Sequence, residues 1–215
     1  MPNFTFDQET HTGLMDGVYW PSVTQLLQEE KLIDYSMVPE EILENKRILG
    51  TRVDAGIQLL NNNELDEEHF NESFPECIPY LEAYRKFRTM EHFDFGDRIG
   101  RLHSVKWKFH GQPDEHGVKI MRRGAENYLI DWKCTFKMFE STGPQMSGYE
   151  ILLLERLKIR VKQRFGLQLK PTGFYELTPF KDKAGDTLDF HACLRLHWQR
   201  RLKYKTKKGG EQNGI

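Results

Sequence analysis

Two acids and a lysine constrain what this chain can fold into. Asp114 follows Pro113, and Asp131 stands seventeen residues later with Lys133 two places beyond it. The run Y-L-I-D-W-K-C over residues 128–134 is short, largely apolar and rich in strand formers. It predicts a half-buried strand. Side chains alternate across a strand, so Asp131 and Lys133 share one face while Ile130 and Trp132 share the other. Between the acids lie Gly117 and the pair Arg123-Gly124, both turn signals. That spacing predicts a hairpin with Asp114 near one strand end and Asp131 on the partner strand. Two carboxylates and an ammonium would converge there. Such a set suits Mg2+, which takes one or two carboxylates, keeps several waters and completes its shell with phosphate oxygens.

A helix should follow. Ser141 or Thr142 can cap it, Pro144 falls in its first turn, and Gln145 and Tyr149 are four apart on one face. From residue 148 the helical pattern extends to residue 165, with Leu152, Leu153, Leu157 and Val161 inward. Arg156, Lys158, Arg160, Lys162 and Arg164 make its other side basic. Charge runs are most often solvated helix faces; the functional alternative is phosphate contact, assigned to Arg156, Arg160, Lys162 and Arg164.

In their order and spacing, P-D, D-W-K and Q-x-x-x-Y resemble the PD-(D/E)XK nuclease superfamily, in its RecB-like and phage-type exonuclease branch. The likeness spans roughly residues 18–198. It implies an α/β fold, a central mixed β-sheet flanked by helices with a restriction-endonuclease-like core. It implies a metal-dependent DNA nuclease that hydrolyses phosphodiester bonds, an exonuclease of DNA recombination, repair or phage DNA processing. By the same resemblance Asp114 and Asp131 bind Mg2+ or Mn2+, and the Trp132 backbone carbonyl adds a ligand. Lys133 orients the attacking water and offsets developing charge, while Gln145 and Tyr149 position phosphate, water or Lys133.

The branch's first motif is a Gly followed four residues later by a helical His. Here Gly50 is followed by Asp54. Asp is a hard-metal ligand, so Asp54 is expected to complete the metal shell. The departure keeps a second class open, a non-catalytic DNA-binding or assembly module on the same fold. DNA is the implied partner, with a recombination or single-strand-binding protein as a further one. Some relatives in this branch carry an iron–sulfur cluster. Four Cys ligands are usual and three Cys are present, so no cluster is expected.

Composition narrows the setting. The chain has 215 residues, 38% hydrophobic and 12% aromatic, enough for one domain with a sizeable core. No apolar run approaches membrane-spanning length and no signal-peptide pattern opens the chain, so no membrane partner is expected. Cys77, Cys134 and Cys193 are scattered and odd in number, which points to a reducing, cytoplasmic setting (host cytoplasm for a phage-encoded chain). Net charge is -1, yet residues 1–100 hold 8 basic against 20 acidic residues, and residues 101–215 hold 23 against 12. A charge split of this size favours a polyanion partner.

One domain is expected over residues 1–202, with an N-terminal hairpin and helix in 1–38 and the core in 39–202. The hairpin covers residues 4–20 and turns at Asp16-Gly17. A helix begins at Pro21-Ser22. Residues 39–60 read as a helix or helix pair, residues 61–76 as an acidic loop with a short helix, and residues 78–90 as a helix. From Val105 to Phe109 strict alternation, with Lys106 and Lys108 on one face, predicts a strand. Strands are also expected over 167–169 and 174–177, and a final helix capped by Asp186 or Thr187. Residues 203–215, basic then Gly-rich, read as a flexible tail. His103, His110 and His116 lack zinc-site spacing. Glu115 should point away from Asp114, because neighbours in a strand face opposite sides.

Overall fold

Apolar residues of adjacent strand positions go to opposite faces of one sheet, and helices cover both. The computed structural model describes residues 3–122 and 124–210, with side chains to residue 202. The chain opens with three short antiparallel strands: β1 (Phe4–Asp7), β2 (Thr12–Met15) and β3 (Val18–Trp20). The predicted hairpin is therefore a meander; Asp16 and Gly17, both at positive φ, turn its second corner. Ser22 starts α1 (Val23–Glu29) with a capping box, its hydroxyl accepting from Gln25 N–H while the Gln25 side chain accepts from Ser22 N–H.

The single helix α2 (Glu40–Asn61) fills the stretch read as a helix or pair. A short α3 (Glu67–Ser73), capped by Asp66, breaks the acidic loop. Then come α4 (Ile78–Glu91) and β4 (Asp94–Phe95). β5 (Leu102–Ser104) pairs with β6 (Phe109–Gly111). The strand expected from Val105 to Phe109 is instead largely the turn between these two. Ser104 and Glu155 take the N–H groups of residues 105–107, and Lys108 sits at φ 57. Alternation of Val, Lys, Trp and Lys marks that turn, with no ladder to hold it extended.

β7 (Glu115–Met121) and β8 (Gly124–Lys133) form the predicted hairpin, with Glu115 opposite Ile130. α5 (Thr142–Leu157) carries the chain across to β9 (Val161–Leu169), which lies parallel to β8. A parallel partner requires such a crossover. β10 (Tyr175–Phe180) returns antiparallel to β9 after a turn with Gly173 at φ 74. The five-stranded sheet has the order β10-β9-β8-β7-β4. α6 (Lys183–Gly210) closes the chain and runs into the stretch read as a tail, of which residues 211–215 lie outside the described residues. Asp182, which accepts from Gly185 N–H, caps it in place of Asp186 or Thr187.

The long helix expected over residues 148–165 needs correction. It ends at Lys158, which takes a left-handed φ of 60, and the basic run continues as β9. Ile159, Val161, Gln163 and Phe165 alternate with charged residues, a period-two signal masked by the i, i+4 spacing of Arg156, Arg160 and Arg164.

On one face of the sheet, Val53 and Ile57 of α2 and Leu81, Tyr84 and Phe87 of α4 pack with Ile130, Trp132 and Leu167. On the other, residues of α1, α5 and α6 such as Leu26, Leu152 and Phe190 pack with Leu129 and Val161. Each fully buried Leu or Phe is worth ~1.5–3 kcal/mol relative to exposure, so β8, buried on both faces, is the anchored centre of the fold. The fold class is the expected α/β one, a central mixed sheet flanked by helices, with a hairpin–helix–strand unit at its centre. Among the described residues no helix is long and apolar enough to cross a membrane.

Candidate active site

Strand alternation delivers Asp131 and Lys133 to the face covered by α5, while Trp132 packs edge-on to Tyr84 on the other. Asp131 is 1% exposed. Lys133 Nζ lies 2.5 Å from its Oδ2. The ammonium is the partner of Oδ2, while Asp131 Oδ1 is buried with no hydrogen-bond donor. Asp114, half-buried, stands just before β7, where its Oδ2 accepts the Trp132 N–H at 3.1 Å. That bond ties the two acids together through one residue of backbone.

The electrostatics follow from this crowding. Burial, then the neighbouring Asp131 charge, pushes the Asp114 pKa well above the ordinary carboxylate value. Burial opposes the Lys133 charge, but Asp131 and Asp114 outweigh it and hold the ammonium's pKa above its ordinary value. Lys133 is therefore a cation at any physiological pH.

α5 brings the remaining pair. Gln145 and Tyr149, both buried, lie one turn apart, and Gln145 Nε2 donates to Tyr149 Oη at 3.1 Å. Burial and the two acid charges push the Tyr149 phenol up to about 12, so it stays a hydrogen-bond donor. Behind α5, the buried Arg164 guanidinium donates to Gly143 O and Ser147 Oγ and pairs with Asp186 at 2.7 Å. The first turns of α5 are thereby pinned to β9. Gly111 leaves room for the Tyr149 ring: a Cβ there would meet Cε1 at 2.9 Å.

The structure thus brings Asp114, Asp131, Lys133, Gln145 and Tyr149 together. Asp54 is placed differently. It is near enough to Asp114 to raise its pKa, yet its carboxylate is held by Arg98 through two hydrogen bonds of 3.0 and 3.2 Å and receives a third from Gln58. Protein donors take three of its roughly four lone-pair sites. Arg98 carries no signal in the sequence, because it lies in an irregular segment with no periodicity. Glu115 points away from Asp131, as alternation requires, and receives a 3.4 Å hydrogen bond from Asn61.

The basic residues scatter. Arg156 is exposed on the last turn of α5 and Arg160 in the loop beyond. Lys162, exposed on β9, pairs with Glu126 at 3.4 Å. Arg164 is fully buried, which corrects its expected place on a phosphate-facing surface: the chain has become a strand there, and its guanidinium serves the core. A residue missed in the sequence is Arg101, which with Arg47, Thr24, Gln25 and Gln112 lines a cleft of about 750 Å3 reaching Tyr149.

Among the described residues no group of three or more His, Cys, Asp or Glu side chains could hold a metal by itself. The oxygen donors Asp114 and Asp131 fit a hard cation of the Mg2+ or Mn2+ type, for which one or two carboxylates suffice. The donorless Oδ1 of Asp131 is the observation that fits it, since buried polar atoms in native proteins almost always have a partner.

No protein-family model matches the chain, and no curated protein matches it. Among solved structures, a candidate exonuclease from Eubacterium rectale aligns with 75% of this chain and 68% of its own, at 10% identity and a TM-score of 0.48. An alkaline exonuclease from Laribacter hongkongensis aligns with 61% of this chain and 71% of its own, at 12% identity and a TM-score of 0.38.

Proposed function

We propose that the chain is a metal-dependent DNA nuclease that hydrolyses phosphodiester bonds. The observation that carries this reading is Asp131: a buried carboxylate whose Oδ2 meets the Lys133 ammonium and whose Oδ1 has no hydrogen-bond donor, beside a second acid. Asp114 and Asp131 would hold Mg2+ or Mn2+, with the Trp132 carbonyl as a further oxygen. The ion would polarise the scissile phosphate and lower the pKa of a bound water. Lys133 would orient that water and offset charge growing on the phosphate, its proton kept on Nζ. Tyr149 Oη, held by Gln145, would donate to phosphate or water. Arg101 and Arg47 in the cleft, with Arg156, Arg160 and Lys162 outside it, would meet the DNA backbone. The motif resemblance supports exonucleolytic action in recombination, repair or phage DNA processing.

One observation favours a second reading, a DNA-binding or assembly module without turnover. Asp54, which would complete a metal shell, is committed to Arg98. Cleavage assays on linear, circular and single-stranded DNA with Mg2+ or Mn2+ separate the two. Lys133→Ala should lose about 10²-fold or more in cleavage while DNA and Mn2+ binding stay near wild type, because its work is in the transition state. Asp114→Asn should lose cleavage and metal affinity together. Equal cleavage by wild type and Lys133→Ala would sink the assignment, and no cleavage of any substrate by wild type would favour the module.

A further inference from the structure

A second cavity, of about 870 Å3, shares no lining residue with the cleft at Tyr149. It lies where the β2–β3 turn, the β5–β6 turn and α6 meet. Of the chain's four tryptophans, Trp20, Trp107 and Trp198 line it, while Trp132 is in the core. Lys106, Lys108 and Arg195, all exposed, stand around these indoles, and Asp16 is the one acid among the described lining residues. None of the three cations makes an ion pair among the described residues.

The Trp107 turn is held in place. Trp107 N–H donates to Ser104 Oγ at 3.0 Å, and Ser104 Oγ donates to Glu155 Oε2 at 2.6 Å. Glu155 Oε1 takes the N–H groups of Val105 at 3.0 Å and Lys106 at 3.4 Å. Glu155 belongs to α5, so this surface turn is bolted to the helix that carries Gln145 and Tyr149. His191 supports the indole with ring centroids 4.7 Å apart, and Lys106 Nζ lies 4.7 Å from the Trp107 ring. A fixed indole loses little freedom when a ligand stacks on it.

Indole rings with cations around them that make no ion pair among the described residues, Lys106 lying over the Trp107 ring, match one polyanion chemistry. Bases stack on aromatic side chains while phosphates follow the positive groups. A duplex keeps its base faces stacked inside, so unpaired bases are the ones that can use the indoles. We propose that this pocket binds unpaired bases of a single DNA strand, with Trp107 and Trp198 as stacking platforms and Lys106, Lys108 and Arg195 at phosphates. The β5–β6 hairpin joins this pocket to the cleft: its turn carries Trp107, and its other end carries Gly111, with Arg101 beside it. A single strand held in the cleft has a second place to dock on the same hairpin. The inference extends the nuclease reading without needing turnover, so it holds for a non-catalytic module too.

The test uses the full chain in EDTA, where metal-dependent cleavage is silent, and follows tryptophan fluorescence. The probes are a thymine oligodeoxynucleotide, an abasic oligomer of equal length, and an acidic peptide containing phenylalanine. The thymine oligomer should quench fluorescence and bind tighter than the abasic one. Trp107→Ala should weaken thymine binding about 5- to 150-fold and leave the abasic oligomer unaffected. Lys106→Ala with Lys108→Ala, a pair of surface changes, should reduce the salt slope by about 0.7 for each phosphate no longer neutralised. Equal binding of thymine and abasic oligomers overturns the proposal. So does wild-type thymine affinity in Trp107→Ala, and so does saturation by the acidic peptide alone. The readout is binding in EDTA and needs no cleavage, so failure of the nuclease assignment leaves this result readable.

Discussion

A methyl group at Gly111 would sit 2.9 Å from Tyr149 Cε1 and 3.0 Å from Val23 Cγ2. Gly111→Ala should therefore push the Tyr149 ring from its place, destabilise by ~1–3 kcal/mol as overpacking does, and lower cleavage beyond that loss. Denaturant unfolding beside cleavage rates checks this; unchanged stability would mean that Tyr149 has room to move. Glu115 gives a pH signature. Burial raises its pKa from an ordinary 4.5 to about 7, so the folded state binds this proton more tightly than the unfolded chain. Stability from this group is full below about 4.5 and is lost as pH rises towards about 7. Glu115→Gln removes that slope and should gain up to about 3 kcal/mol over wild type at pH 8 relative to pH 4. Chemical unfolding at the two pH values measures it, and an equal difference in both proteins would refute it. Remaining slope of the same sign belongs to Asp114 and Asp186, also raised by burial.

Among the elements, the crossover of α5 decides most. Its N-terminal half presents Gln145 and Tyr149, its C-terminal half holds the Trp107 turn through Glu155, and Lys158 ends it at φ 60. Lys158→Gly tests that ending by the sign of its effect. A left-handed residue costs a non-glycine ~1–2 kcal/mol, so glycine should stabilise here. Inside a continuous helix it would destabilise by ~1 kcal/mol instead. A gain in melting temperature supports the helix–strand switch, and a loss restores the long helix. The pin behind α5 has a larger effect. Arg164→Met would strand Asp186 without its buried cation, while Glu150 keeps Lys183, and should cost ~3–5 kcal/mol. A loss under about 1 kcal/mol in denaturant melts would show that the network carries no stability.

For the whole molecule, the central hairpin end at Asp114 and Asp131 links stability to metal. Two crowded carboxylates repel, and a cation bound to the folded state alone should stabilise it by about 2.7 kcal/mol at ~100 times its dissociation constant. The raised Asp114 pKa sets proton against metal, so the Mn2+-induced rise in melting temperature should shrink as pH falls. Asp131→Asn should abolish it. A melting temperature indifferent to Mn2+ at pH 8 in wild type would remove the metal from this site.

The sequence by itself determined the hairpin, its register sense and the α5 face. Period-two alternation around Asp131 and the four-residue spacing of Gln145 and Tyr149 are local properties of backbone geometry, readable without neighbours. It also set the expectation that Glu115 points away from its neighbour Asp114, and Glu115 faces Asn61. Tertiary structure decided the rest. Arg156 to Arg164 satisfy helical and strand periods together over a short span, and only the vacant parallel edge of β8 selects the strand. The turn at residues 105–108 alternates like a strand but is closed by Glu155, fifty residues away. Asp54 stands at the expected distance from Gly50, yet its partner Arg98 comes from a segment without pattern. Long-range hydrogen bonds and ion pairs leave no period in a sequence, so which acids stay free for a ligand is settled only when the chain is folded.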